Sequence, residues 1–163
     1  MVDRKLFLLL DEVDARDDAG IKASALSAED LKGELLELAR YGRVLVLLDA
    51  CHSGATTMDG TAIAVDVDAL RTGLAAANVT VLPSSKGSET SEERDAWGHG
   101  AFTKALLEAL SGQVDLFRGR REITVAGLEF WLSERVKELT GNQQHPTSFK
   151  PYAIPDMAIA RLQ

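Results

Sequence analysis

Apolar residues come in short continuous runs separated by stretches with helical spacing. Leu6-Phe7-Leu8-Leu9-Leu10 follows two charged residues and reads as a buried strand. The acidic, polar segment Asp11 to Lys22 reads as a loop. Ser27 stands three residues before Asp30, a weak capping box. Leu31, Leu35, Leu38 and Ala39 continue at helical spacing, so a helix is predicted from Ser27 to Tyr41, stopped by Gly42. Val44-Leu45-Val46-Leu47-Leu48 is apolar on both faces and about strand length, the pattern of a parallel strand covered on both sides. Gly54 to Asp66 reads as a loop, Asp68 to Ala77 as a modest helix, and Val79 to Leu82 as a strand ended by Pro83. Ser84 to Gly98 is a long polar loop without periodicity, and such loops in compact domains are usually functional or disordered. Phe102, Leu106, Leu107 and Leu110 predict a helix closed by Gly112. Thr124 is placed to cap a last helix with a face of Leu128, Trp131, Leu132, Val136 and Leu139, ended by Gly141. Tyr152 to Ile159 predicts a final strand interrupted by Pro155. Strands alternating with helices in this way predict an α/β sandwich with a mainly parallel sheet.

The chain has 163 residues, enough for one domain with its own core. Lys plus Arg is 18 and Asp plus Glu is 25, giving a formal charge of −7. That balance disfavours binding to phosphate backbones but leaves basic peptides as partners. A single cysteine excludes an internal disulfide and fits a reducing compartment, so a cytoplasmic location is expected. The run Leu6 to Leu10 is too short to span a bilayer and acidic residues follow it, so neither a signal peptide nor a membrane anchor is predicted.

Working residues in α/β sheets collect at the carboxyl ends of strands. The Val44 to Leu48 strand runs into Asp49-Ala50-Cys51-His52-Ser53-Gly54. Asp49 and Cys51 are two apart, so on extended backbone both point to one face. Cysteine is often only a small core hydrophobe. A core strand, however, rarely ends in an unpaired carboxylate, and this turns attention to chemistry.

The segment Asp49 to Gly54 resembles the catalytic-cysteine motif of metacaspases and bacterial caspase-like peptidases. Trp97-Gly98-His99-Gly100-Ala101-Phe102-Thr103 resembles the start of the small-subunit region of the bacterial members, and Gln144-His145-Pro146 a segment near their C-terminus. The resemblance spans nearly the whole chain as one caspase-like domain. Residues 1–83 resemble the later part of the large-subunit region and residues 84–163 the small-subunit region. It implies a caspase-hemoglobinase-like three-layer α/β/α sandwich and a cysteine endopeptidase acting on peptides or proteins. Cys51 would be the nucleophile, with a histidine taking and returning the proton. Asp49 would lie as a buried carboxylate at the floor of the S1 pocket and select Arg or Lys at P1. Ser84 and Ser85 would form the pocket wall and Glu93 a second acid, with Glu92 competing for that place.

One departure stands out. The family places its histidine upstream of the cysteine, by about 50 residues in caspases. No histidine occurs between Met1 and Cys51. The strand, helix and histidine that precede the Leu6 to Leu10 strand in the family are expected to be absent from this chain and supplied by an N-terminal fragment or another chain. A sheet truncated in that way predicts self-association. His52 would point away from Cys51, His99 falls after the cysteine, and His145 reads as a solvated loop histidine. No cofactor is implied, though the resemblance makes calcium a candidate near Asp17, Asp18 and Asp59, against the plainer reading of a solvated acidic loop. Trp131 and Phe130 read as core or interface. The competing functional class is a non-catalytic caspase-like binding or regulatory module.

Overall fold

A computed structural model describes residues 7–8, 14, 16–49, 73–74, 77–86, 89, 91–119, 121–151 and 155–162. The fold is mixed α/β with a small parallel sheet. In chain order the elements are β1 (Phe7–Leu8), α1 (Asp18–Ser24), β2 (Leu26–Ser27), α2 (Ala28–Leu38), β3 (Val44–Leu48), β4 (Val79–Pro83), β5 (Glu93–Arg94) and β6 (His99–Gly100). Then follow α3 (Ala101–Leu110), α4 (Asp115–Arg118), β7 (Glu122–Thr124), α5 (Val125–Leu139) and β8 (Ala158–Arg161). Among the described residues no helix is long and apolar enough to cross a membrane.

β3 and β4 pair in parallel from Val44 opposite Val79 to Leu48 opposite Pro83. On the far edge of β4, Phe149 exchanges two backbone hydrogen bonds with Val81, at 2.9 and 2.8 Å. β4 alternates its side chains between two clusters. Leu82 joins Phe102, Leu128 and Leu132, whereas Val79 and Val81 join Leu35 and Leu74. The cover on both faces that the apolar run Val44 to Leu48 predicts is found on β4 instead; no residue of β3 is buried. The first cluster is built by α3 and α5, whose Ala105, Ala109 and Val136 are fully buried. Trp131 is part of this packing, and its indole N–H donates to the Ala105 carbonyl at 2.8 Å. Phe130, by contrast, is 61% exposed.

The helix starts follow their caps. Ser27 accepts the Asp30 N–H at the start of α2, and Thr124 accepts the Gly127 N–H at the start of α5. α5 ends at Leu139, and Gly141 and Asn142 then take positive φ of 59° and 67°. Other expectations are corrected. The acidic Asp11 to Lys22 segment is not all loop: Asp17 accepts the Gly20 N–H at 2.7 Å and starts α1. β1 pairs antiparallel with β2, which lies at the cap of α2. The polar stretch from Ser84 to Gly98 contains β5, which pairs antiparallel with β6. The final strand starts at Ala158, later than expected, because Glu122–Thr124 offers it an antiparallel partner. Of the helix expected over Asp68 to Ala77, Gly73 and Leu74 are helical and most of the rest lies outside the described residues.

Candidate active site

The parallel pair brings two chain segments out of the sheet side by side. The Ser84 N–H donates to the Leu48 carbonyl at 2.9 Å, so the residues after β3 and after β4 leave as neighbours. Asp49 is the first residue past β3. Its Oδ2 accepts a hydrogen bond of 2.5 Å from the hydroxyl of Thr103, in the first turn of α3. Gly100 lies next to this bond: a β-carbon there would make ordinary contact, 3.4 Å from Asp49 Oδ2 and 3.7 Å from the Glu92 carbonyl. The carboxylate and the Glu92 main chain therefore flank one small space at the start of α3.

Asp49 is exposed, which corrects the expectation of a buried carboxylate. The reason is its strand. β3 is only partly covered, and Leu47 beside Asp49 is 37% exposed. Cys51, His52 and Asp59 lie outside the described residues.

Ser84 and Ser85 are 1% and 5% exposed. Ser84 Oγ shares a hydrogen bond of 3.2 Å with Ser91 Oγ, and Ser85 Oγ donates to the Glu89 carbonyl at 3.5 Å. Their hydroxyls thus bond within the chain that follows β4. Of the two candidate second acids, Glu93 is exposed in β5, opposite Gly100. Glu92 has one carboxylate oxygen, Oε1, taken by Arg94 at 3.1 Å. Its Oε2 is buried and has no hydrogen-bond partner among the described residues. A buried carboxylate oxygen without a donor carries a desolvation cost that a cationic ligand would offset.

The sequence pattern does not reveal how this loop is fastened. Gln144 is completely buried. Its Nε2 donates to the Ser84 carbonyl at 2.8 Å, and its Oε1 accepts the Glu92 N–H at 2.9 Å. One side-chain amide thereby ties both ends of the loop. His145 fastens the middle: its backbone N–H and Nδ1 each lie 2.8 Å from an oxygen of the Glu89 carboxylate. Its Nε2 is 3.3 Å from Asn142 Oδ1. His145 is thus a half-buried tether, correcting the expectation of a solvated loop residue. Burial pushes the Glu89 carboxyl up, but the N–H groups of His145 and Lys86 and the His145 ring outweigh it. The net result is a carboxyl held below its usual range. The only sequence signal for this clamp is Gln144-His145-Pro146 itself, two residues after the left-handed turn at Asn142.

His99 lies in β6 opposite Arg94, just ahead of α3. Arg94 stacks on Trp97, 4.6 Å from the ring centre. Among the described residues no group of three or more His, Cys, Asp or Glu side chains is placed to hold a metal ion, and Asp17 serves as the cap of α1. Comparison with protein-family models and with curated proteins found no match for the chain. What the site offers chemically is an exposed carboxylate oriented by a neutral hydroxyl, with the Glu92 carbonyl across Gly100. An exposed carboxylate of this kind suits a guanidinium or ammonium group.

Proposed function

We propose that this chain supplies the nucleophile and specificity pocket of a caspase-like cysteine endopeptidase that cuts after Arg or Lys, within an α/β/α sandwich of the metacaspase and bacterial caspase-like kind. The observation that carries the reading is the place of Asp49. It follows the carboxyl end of a parallel strand directly, two residues before Cys51, and its recorded hydrogen-bond partner among the described residues is a neutral hydroxyl. A cationic P1 side chain would complete its electrostatics. Cys51 would attack the scissile carbonyl as thiolate, forming a carbon–sulfur bond and releasing the amine with a proton returned by a histidine. Water would then cleave the thioester. The Cys51 N–H would give one donor to the oxyanion.

The histidine is the open part of this mechanism. None precedes Cys51, and the ring of His145 is engaged by Glu89 and Asn142. The family order, histidine before cysteine, leads us to propose that the base comes from a partner chain or another segment. The same observation favours a second reading, a non-catalytic module that binds basic peptides. One experiment separates them. The protein is given an Arg-P1 peptide substrate and an Arg-based thiol-reactive probe, with Cys51→Ala as control. Turnover that falls to background in Cys51→Ala supports the peptidase. Labelling of Cys51 without turnover supports the binding module. Neither labelling nor binding of basic peptides would sink both.

A further inference from the structure

Thr103 spends its hydroxyl in an unusual direction. Threonine in the first turn of a helix commonly bonds to nearby backbone of its own segment. Here the Oγ1–H reaches Asp49 Oδ2, 54 positions away in sequence, at 2.5 Å. The N-cap of α3 is Gly100, which has no side chain to cap the helix, and the Asp49 carboxylate stands beside that glycine. The hydroxyl donor fixes one carboxylate oxygen and removes the rotational freedom of the side chain. It does so without neutralising the charge, as an Arg or Lys partner would. Among the described residues no donor is placed on Oδ1, which leaves it for a ligand. An exposed carboxylate oriented by a neutral donor is pre-organised for a cation.

We propose that Thr103 is a positioning residue that orients Asp49 to receive a guanidinium or ammonium side chain, and so sets the preference for basic ligands. This rests on the pocket assignment above, in which Asp49 is the acid that meets P1. Losing the donor leaves the charge in place but frees the carboxylate to rotate, so selectivity falls while the fold persists. Substitution by valine keeps the volume and removes the donor, whereas serine restores it.

The test uses ligands that need no turnover. Binding of Nα-acetyl-arginine methylamide and of its neutral citrulline counterpart is measured by calorimetry on the wild type, Thr103→Val, Thr103→Ala, Thr103→Ser and Asp49→Ala. Each variant is assayed well below its unfolding midpoint. Expected are a roughly tenfold loss of the arginine-over-citrulline preference in Thr103→Val and Thr103→Ala, near-recovery in Thr103→Ser, and complete loss in Asp49→Ala. A purely structural Thr103 would lower the unfolding midpoint and leave the preference unchanged. That result, with Asp49→Ala still losing the preference, overturns the role of Thr103 alone. If the wild type shows no preference, or Asp49→Ala keeps it, the pocket assignment falls and Thr103 falls with it.

Discussion

β3 and β4 are both five-residue strands, nearly all apolar, paired in register, yet their surroundings differ sharply. Every residue of β4 is buried, while no residue of β3 is. The contrast is clearest at one rung, where Leu47 faces Leu82: the first is 37% exposed and the second 1%. β4 has β3 on one edge and Phe149 on the other, and α3 and α5 pack against the cluster that holds Leu82. An apolar run thus specifies pairing, but burial depends on what later elements lay over it. The largest expected effect follows directly. Leu82→Ala should cost about 2–5 kcal/mol in urea unfolding, from lost transfer energy and the cavity left behind. Leu47→Ala should cost about 1 kcal/mol or less, because much of its side chain already meets water. Equal costs would break the contrast and show that Leu47 is covered in solution, for example by a second copy of the chain.

The same asymmetry continues past the ends of the two strands. The chain after β4 is tied at both ends by Gln144, which is itself anchored to the end of α5 through Thr140 Oγ1 at 3.2 Å. The chain after β3 begins with Asp49, held by one hydroxyl. Gln144→Met keeps the volume but strands the Ser84 carbonyl and the Glu92 N–H. Each stranded group should cost about 1–3 kcal/mol. Hydrogen exchange locates the loss: the Glu92 amide should exchange much faster in the variant, and amides of β3 should not change beyond the global shift. Unchanged protection at Glu92 would mean that another acceptor replaces the glutamine.

These contrasts explain what could be read from the chain alone. Val44 to Leu48, Val79 to Leu82 and the faces of α3 and α5 were legible because hydrophobic period is a local property, and Ser27 and Thr124 because a cap needs only its own first turn. Missed were Glu122–Thr124 and the pairing of β1 with β2, since two- and three-residue strands carry no period and exist through their partners. α1 was hidden by composition: Asp17 and Asp18 look like loop or cation-binding residues until the cap geometry is seen. In the candidate site, Asp49, Ser84 and Ser85 could be singled out from position and motif. Asp49 was wrongly expected to be buried because burial of a strand end depends on distant cover. Thr103, Gln144 and Glu89 could not be assigned roles, because contacts across 52 to 60 positions leave no local pattern.

The smallest expected effect compares two carboxylates, Glu89 in the fastened loop after β4 and Asp14 on the open surface before α1. Glu89 and Asp14 both sit below the usual carboxylate range, for different reasons. Glu89, 18% exposed, is held down, against the upward push of burial, by the His145 and Lys86 N–H groups and the His145 ring. Asp14 is held down by the Arg16 guanidinium and N–H, on an open surface. A carboxyl whose folded value is depressed binds fewer protons folded than unfolded. Its stabilisation is complete above the unfolded value and is lost as pH falls through the folded one, so the loss belongs to the acid limb below about pH 5. Glu89→Gln should therefore flatten stability against pH in that limb, and the flattening should survive added salt, because the donors are fixed and largely shielded. Asp14→Asn should change the same limb less, and 1 M salt should erase the change, since exposed pairs are screened over a few ångströms at that strength. Unfolding midpoints from pH 3 to 7 at low and high salt decide the matter. A Glu89 effect that vanishes in salt would mean that the His145 tether is a surface pair after all, and that Gln144 alone fastens the loop.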